Sequence, residues 1–190
     1  PIWGTGGGAA ATPGTARPRA ARRMGAAMSP GRVAAGPPAA PLVRRLAERG
    51  ETLAVAESLT GGLLAATIVD VPRASVVFRG GLVVYATDLK ASLAGVPAAL
   101  LAERGPVDPD VAAALADGAR RRCGAVWGLA TTGVAGPDPQ GAAGVGTVHV
   151  AVAGPEGTRV RSLALPGGRA EVREGAVVAA LGLLDEALGP

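Results

Sequence analysis

The sequence predicts an α/β protein, a three-layer α/β/α sandwich built on a mixed sheet of about five strands. Three observations carry that expectation. Thr52–Glu57 alternates, meets Ser58 and the Thr60-Gly61-Gly62 turn, and passes into an apolar helical run through Ile68, a strand, turn and helix in order. Gly81–Ala86 (GLVVYA) and Val126–Thr131 (VWGLAT) are nearly continuous apolar runs, the pattern of central strands covered on both faces. Gly146–Ala153 and Thr158–Leu165 flank the turn Gly154-Pro155-Glu156-Gly157 and read as an antiparallel hairpin, which makes the sheet mixed.

The remaining elements fall around these. Residues 1–40 mix Gly, Pro, Ala and Arg without helical or strand periodicity, a composition that predicts a disordered tail. The chain starts at Pro1 while Met24 and Met28 lie just ahead of the periodic region, so a mis-assigned start or a fragment is one reading of residues 1–27. From residue 41 to 190 a single domain is expected. Leu42, Val43 and Leu46 give it an entry helix that stops at Gly50. Asp108-Pro109-Asp110 starts another helix, with Asp as cap, Pro in the first turn and a buried stripe through Val111, Ala114, Leu115, Gly118 and Ala119. A closing helix over about 170–188 carries Val172, Ala176, Ala179, Ala180 and Leu183 on one face.

Composition bounds the partners. The net charge is +4, but Arg17, Arg19, Arg22, Arg23 and Arg32 have no acidic neighbour among residues 1–40, and removing them leaves the rest near −1. A basic nucleic-acid surface on the folded part is not indicated. Cys123 is the only cysteine and His149 the only histidine, so no disulfide within the chain, no protein-built transition-metal site and no cofactor are expected. There is no run of 18 apolar residues, and a cytoplasmic protein without a membrane partner is expected.

Several places hold candidate chemistry. Ser58, with Glu57 before it and Thr60, Gly61 and Gly62 after it, sits where a strand hands over to a helix. Free N–H groups there favour an anion or a developing oxyanion, and make Ser58 a candidate nucleophile; the plainer reading is a helix cap. Among 19 basic residues the single lysine is Lys90. Arginine cannot surrender its proton in a protein whereas a desolvated lysine can, so Lys90 is either the base that activates a serine or an ordinary surface lysine. Tyr85, the only tyrosine, precedes Lys90 by five residues at a strand end, placed to orient the amine, to stack on an aromatic ring, or to close the core edge.

Thr132, Gly133, Ala135 and Gly136 form a small-residue loop that lets backbone approach a ligand, or a tight strand exit. Arg169 and Arg173 share a helix face that would hold an anion or simply meet solvent. His149 sits in mid-strand and reads as structural.

Taken together, A-E-S-L-T-G-G (56–62), F-R-G-G-L-V-V-Y (78–85), Lys90, G-V-P (95–97), T-G-V-A-G-P (132–137), V-G-T-V (145–148) and L-P-G-G-R (165–169) resemble the CinA C-terminal family over nearly all of residues 42–187. That family includes amidohydrolases that convert nicotinamide mononucleotide to nicotinate mononucleotide and ammonia. The resemblance implies a serine nucleophile at Ser58, tyrosine and lysine partners at Tyr85 and Lys90, and a substrate pocket at Glu57, Thr60–Gly62, Thr132–Gly136 and Arg169. It also implies a homodimer or larger homo-oligomer. The alternative is a non-catalytic nucleotide-binding or competence-associated interaction module. This sequence departs from the family pattern at Leu59, where Cys is usual, at Thr87, where Asn is frequent, and in the 138–144 loop, which lacks the usual Gly-Gly-Thr and Lys-Pro elements.

Overall fold

The computed structural model of the chain describes residues 38–189. The elements run α1 (Ala40–Arg49), β1 (Leu53–Glu57), α2 (Leu63–Val69), β2 (Phe78–Val83), α3 (Thr87–Ser92), α4 (Ala98–Arg104), α5 (Pro109–Arg122), β3 (Trp127–Gly133), β4 (Thr147–Gly154), β5 (Gly157–Ala164) and α6 (Arg169–Leu188), with a 3₁₀ turn at Ala74–Val76. The strands make one sheet of order β2-β1-β3-β4-β5. β1 is parallel to β2 and β3, while β3–β4 and β4–β5 are antiparallel, so the sheet is mixed as expected. The disorder expected of residues 1–40 falls, except for 38–40, outside the described residues.

Strand alternation sends successive side chains into two different cores. Leu53 and Val55 of β1 join Leu129, Val150 and Val152 beneath α1, α2 and α6, which supply Leu42, Leu46, Leu64, Ile68, Val172 and Leu184. Ala54 and Ala56 point the other way and join Ala130, Ala151 and Ala153 beneath α5, which supplies Val111, Leu115, Ala116 and Ala119. The second core is built from small residues because helix and sheet backbones nearly touch there. A Cβ added at Gly128 on β3 would stand 1.9 Å from the carbonyl oxygen of Ala116, inside any tolerable contact. An aromatic-poor composition is thus used to bring backbones together, which preserves packing density without large side chains. Gly128→Ala is expected to destabilise the fold by about 1–3 kcal/mol through overpacking. A urea midpoint equal to the parent's would contradict this close approach.

Helix ends follow the sequence signals. Gly50 takes the left-handed conformation (φ 63°) that closes α1, and the Asp108 carboxylate accepts the Asp110 N–H at the start of α5 with Pro109 in the first turn. The helix Ala98–Arg104 was missing from the sequence expectation, although Ala-Ala-Leu-Leu-Ala-Glu-Arg followed by Gly105 carries the propensity for it.

One strand needs correction. The run expected at Gly81–Ala86 as a central strand is Phe78–Val83, and it lies at the sheet edge with one neighbour, β1. Its residues alternate between half-buried and exposed instead of being covered on both faces. An apolar run fixes that a strand buries surface but not its place in the strand order, and Val83 and Tyr85 remain largely exposed at this edge.

Candidate active site

Because β2, β1 and β3 run parallel, the segments leaving them emerge side by side, the position where open α/β sheets bind ligands. A cavity of about 300 Å³ opens there. Ser58 and Leu59 line it from the turn after β1, Tyr85 and Lys90 from the segment after β2, and Gly133–Gly136 from the loop after β3. Pro106 and Val107 ahead of α5, Asp138–Gln140 and Arg169 complete the wall.

Lys90 is the most unusual group in the site. It is 1% exposed, and its Nζ is the one buried side-chain polar atom without a hydrogen-bond partner among the described residues. Burial lowers its pKa from 10.5 to about 8, so a substantial neutral fraction exists near physiological pH. A buried, unpartnered amine is costly, and such groups concentrate where chemistry needs them. Ser58 lines the same cavity and makes no hydrogen bond to that amine.

The turn that presents Ser58 is fixed on every side. The Ser58 N–H donates to the Thr131 carbonyl (3.0 Å), and the Thr60 and Thr131 hydroxyls bond each other at 2.7 Å. Glu57 is fully buried, and its carboxylate accepts the N–H groups of Gly62 (3.0 Å), Leu64 (3.0 Å) and Ala65 (2.8 Å). It thereby satisfies three donors that the first turn of α2 would otherwise leave unpaired, and places a negative charge at the positive end of the helix. On the far side, Arg173 of α6 donates from Nε to the Leu59 carbonyl (3.1 Å) and from Nη2 to the Thr60 carbonyl (2.6 Å).

The residues expected to bind substrate therefore divide. Ser58, Tyr85, Lys90, Gly133, Ala135, Gly136 and Arg169 come together at the cavity. Glu57, Thr60, Gly61, Gly62 and Thr132 do not line it. Glu57 and Thr60 hold the serine turn, Gly61 and Gly62 form its exit into α2, and Thr132 is buried with its hydroxyl donating to the Pro106 carbonyl (2.7 Å). Thr132 thus supports the wall that Pro106 forms instead of presenting its hydroxyl to a ligand.

Tyr85 is 59% exposed and lies two residues beyond β2, not at the end of a buried strand. Arg169 links the two rims, donating from Nη1 to the Gly136 carbonyl (2.7 Å) and from Nη2 to the Tyr85 hydroxyl oxygen (3.1 Å). That leaves the phenolic proton free to donate into the cavity, strengthened by the cation behind it.

Asp138 and Gln140 belong to the cavity but were absent from the sequence expectation; nothing in a short loop of Asp, Pro, Gln and Gly marks which side chains turn inward. His149 bonds Ser162 through Nδ1 at 2.8 Å and stands outside the cavity lining, a pairing across β4 and β5. Among the described residues no three His, Cys, Asp or Glu side chains gather where they would hold a metal ion. No helix there is long and apolar enough to cross a membrane.

A mixed α/β/α sandwich whose parallel strand exits gather a serine, a buried amine and a glycine-rich loop at one cavity is the class of domain this chain represents. The chain belongs to the CinA C-terminal domain family, whose profile matches residues 37–188. It is 58% identical over 139 residues to a CinA-like protein of Frankia casuarinae, which covers 73% of this chain and 32% of that protein. A CinA-like protein of Anaeromyxobacter dehalogenans is 51% identical over 150 residues, covering 77% of this chain and 36% of the relative. The chain thus spans about a third of the length of these relatives.

Among solved structures, a competence-damaged protein (CinA) superfamily protein from Escherichia coli superposes with a TM-score of 0.77 at 28% identity, covering 79% of this chain and 88% of its own. The competence/damage inducible protein CihA from Agrobacterium tumefaciens gives 0.73 at 33% identity, covering 80% and 96%.

Proposed function

We propose that this domain hydrolyses the carboxamide of nicotinamide mononucleotide to nicotinate mononucleotide and ammonia, with Ser58 as nucleophile and Lys90 as its base. The observation that carries the reading is Lys90 itself: a fully buried lysine without a partner, its amine depressed toward neutrality, lining the same cavity as a serine on a rigid strand-to-helix turn.

The neutral Lys90 amine takes the Ser58 hydroxyl proton as Oγ bonds to the carboxamide carbon, and the carbonyl becomes a tetrahedral oxyanion. The C–N bond then breaks, and the nitrogen leaves as ammonia with the proton held on Lys90. Water adds to the resulting ester while giving its proton to Lys90. The carbon–Oγ bond breaks, Ser58 recovers its proton, and nicotinate mononucleotide is free. Tyr85, its hydroxyl oxygen already occupied by Arg169, has its proton free to orient the substrate. The exposed guanidinium of Arg169 at the rim supplies the positive charge that a phosphate requires.

Because the base must be neutral, kcat/KM is expected to rise with pH and level off above about 8, the value to which burial brings Lys90. A rate that falls through this range would contradict a neutral amine as base. The test of the reading is ammonia release from nicotinamide mononucleotide by the 190-residue chain, beside Ser58→Ala and Lys90→Arg. Turnover lost in both folded variants supports it, while nucleotide binding without turnover by the parent would instead mark a binding module.

A further inference from the structure

Each N–H group of the turn that carries Ser58 has an identifiable destination, with two exceptions. Ser58 donates to Thr131, Gly61 to the Ser58 carbonyl, Leu63 to the Thr60 carbonyl, and Gly62, Leu64 and Ala65 to Glu57. The N–H groups of Leu59 and Thr60 have no such acceptor among the described residues. Thr60 is wholly buried, whereas Leu59 lines the cavity next to Ser58. Buried N–H groups rarely go unpaired, so an unpaired one adjoining a nucleophile is a place where an incoming negative oxygen would be held.

The carbonyls of these same two residues are both held by Arg173. Its Nε reaches Leu59 and its Nη2 reaches Thr60, 3.1 and 2.6 Å away. Arg173 forms no ion pair among the described residues, although Glu171 and Glu174 stand beside it on α6. Its charge is committed to the turn. In a planar trans peptide the N–H points opposite to the carbonyl, so holding the Leu59 and Thr60 carbonyls toward α6 sets the planes that carry the Thr60 and Gly61 N–H groups, and Gly61 in turn donates to the Ser58 carbonyl (3.1 Å), whose plane carries the Leu59 N–H. A guanidinium fork can engage two carbonyls at once in a set geometry, which a lysine ammonium on a flexible stem cannot reproduce.

We infer that Arg173 is a positioning residue for the hydrolytic step: it holds the Ser58–Thr60 turn so that the Leu59 N–H receives the oxyanion of the tetrahedral intermediate. The inference rests on the amide-hydrolysis reading, and Arg173 itself touches no substrate. The oxyanion exists only after attack, so the loss should fall on kcat and spare KM.

The experiment compares the parent with Arg173→Ala and Arg173→Lys in the full chain. It measures kcat and KM for ammonia release, the thermal midpoint, and the rate at which a fluorophosphonate labels Ser58. The probe reaction displaces fluoride from phosphorus by the Ser58 oxygen and likewise develops negative charge on a phosphoryl oxygen, but it needs no amide substrate. The expected result for Arg173→Ala is a drop of about 10²-fold in kcat and a similar slowing of labelling, with KM within about twofold of the parent; lysine should restore only part of either rate.

Unchanged kcat and labelling in both variants would overturn the proposal, and so would a rise in KM that tracks a fall in the thermal midpoint. If the parent labels at Ser58 but releases no ammonia, the substrate reading fails and the labelling rates alone judge Arg173. If the parent does not label, both fall.

Discussion

Lys90→Met is expected to abolish turnover and to make the protein more stable at pH 7 at the same time. The activity loss follows from removing the amine proposed to take the Ser58 proton, worth about 10²–10⁴-fold for a general base and more when the nucleophile depends on it. The stability gain follows from the unpartnered Nζ: methionine fills similar volume without a buried polar group, which is worth about 1–3 kcal/mol.

The pH dependence of that gain has a definite sign. The folded-state pKa is lowered from 10.5 to about 8, so between these values the unfolded chain binds more protons than the folded one. The parent therefore gains stability as pH rises through the window, and the advantage of methionine shrinks there. Urea unfolding at pH 7 and at about pH 10 measures both effects. A methionine variant less stable than the parent at pH 7 would mean that the amine is satisfied in solution.

Ser58→Ala carries the other large effect. With the proposed nucleophile gone, ammonia release should fall by at least about 10⁴-fold, the scale on which such groups act as a unit with their base. Substrate affinity should change little, because the cavity wall is otherwise made by Lys90, Tyr85, Arg169 and the Gly133–Gly136 loop. The thermal midpoint should stay close to the parent's, since the turn is held through Glu57, Thr60, Thr131 and Arg173 and not through the serine hydroxyl. Residual turnover within tenfold of the parent would remove Ser58 from the chemistry.

Features written in local patterns were readable from the chain alone. The alternation of Thr52–Glu57, the Asp108-Pro109 helix start and the Gly154–Gly157 turn each declare an element because the physical cause lies within a few residues. Lys90 was legible for a different reason: in a chain that otherwise uses arginine, one lysine is a chemical exception.

What escaped is what depends on distant partners. Strand order put Phe78–Val83 at the edge, though the overlapping run Gly81–Ala86 has the apolar content of a central strand. Glu57 looked like a ligand contact because it adjoins Ser58, yet its side chain turns under α2 to meet N–H groups up to eight residues ahead. Arg173 meets the serine turn from 113 and 114 residues away, and Asp138 and Gln140 line the cavity from the loop after β3.

The central claim is that a buried amine switches Ser58 on. Its most direct measurement is ammonia release from nicotinamide mononucleotide by the full chain followed from about pH 6 to pH 10, with Ser58→Ala run in parallel. The account predicts equal amounts of ammonia and nicotinate mononucleotide, a kcat/KM that climbs to a plateau with its midpoint near 8, and no release from the alanine variant. Release by Ser58→Ala at the parent's rate, or a parent that binds the nucleotide across this range without releasing ammonia, would contradict it.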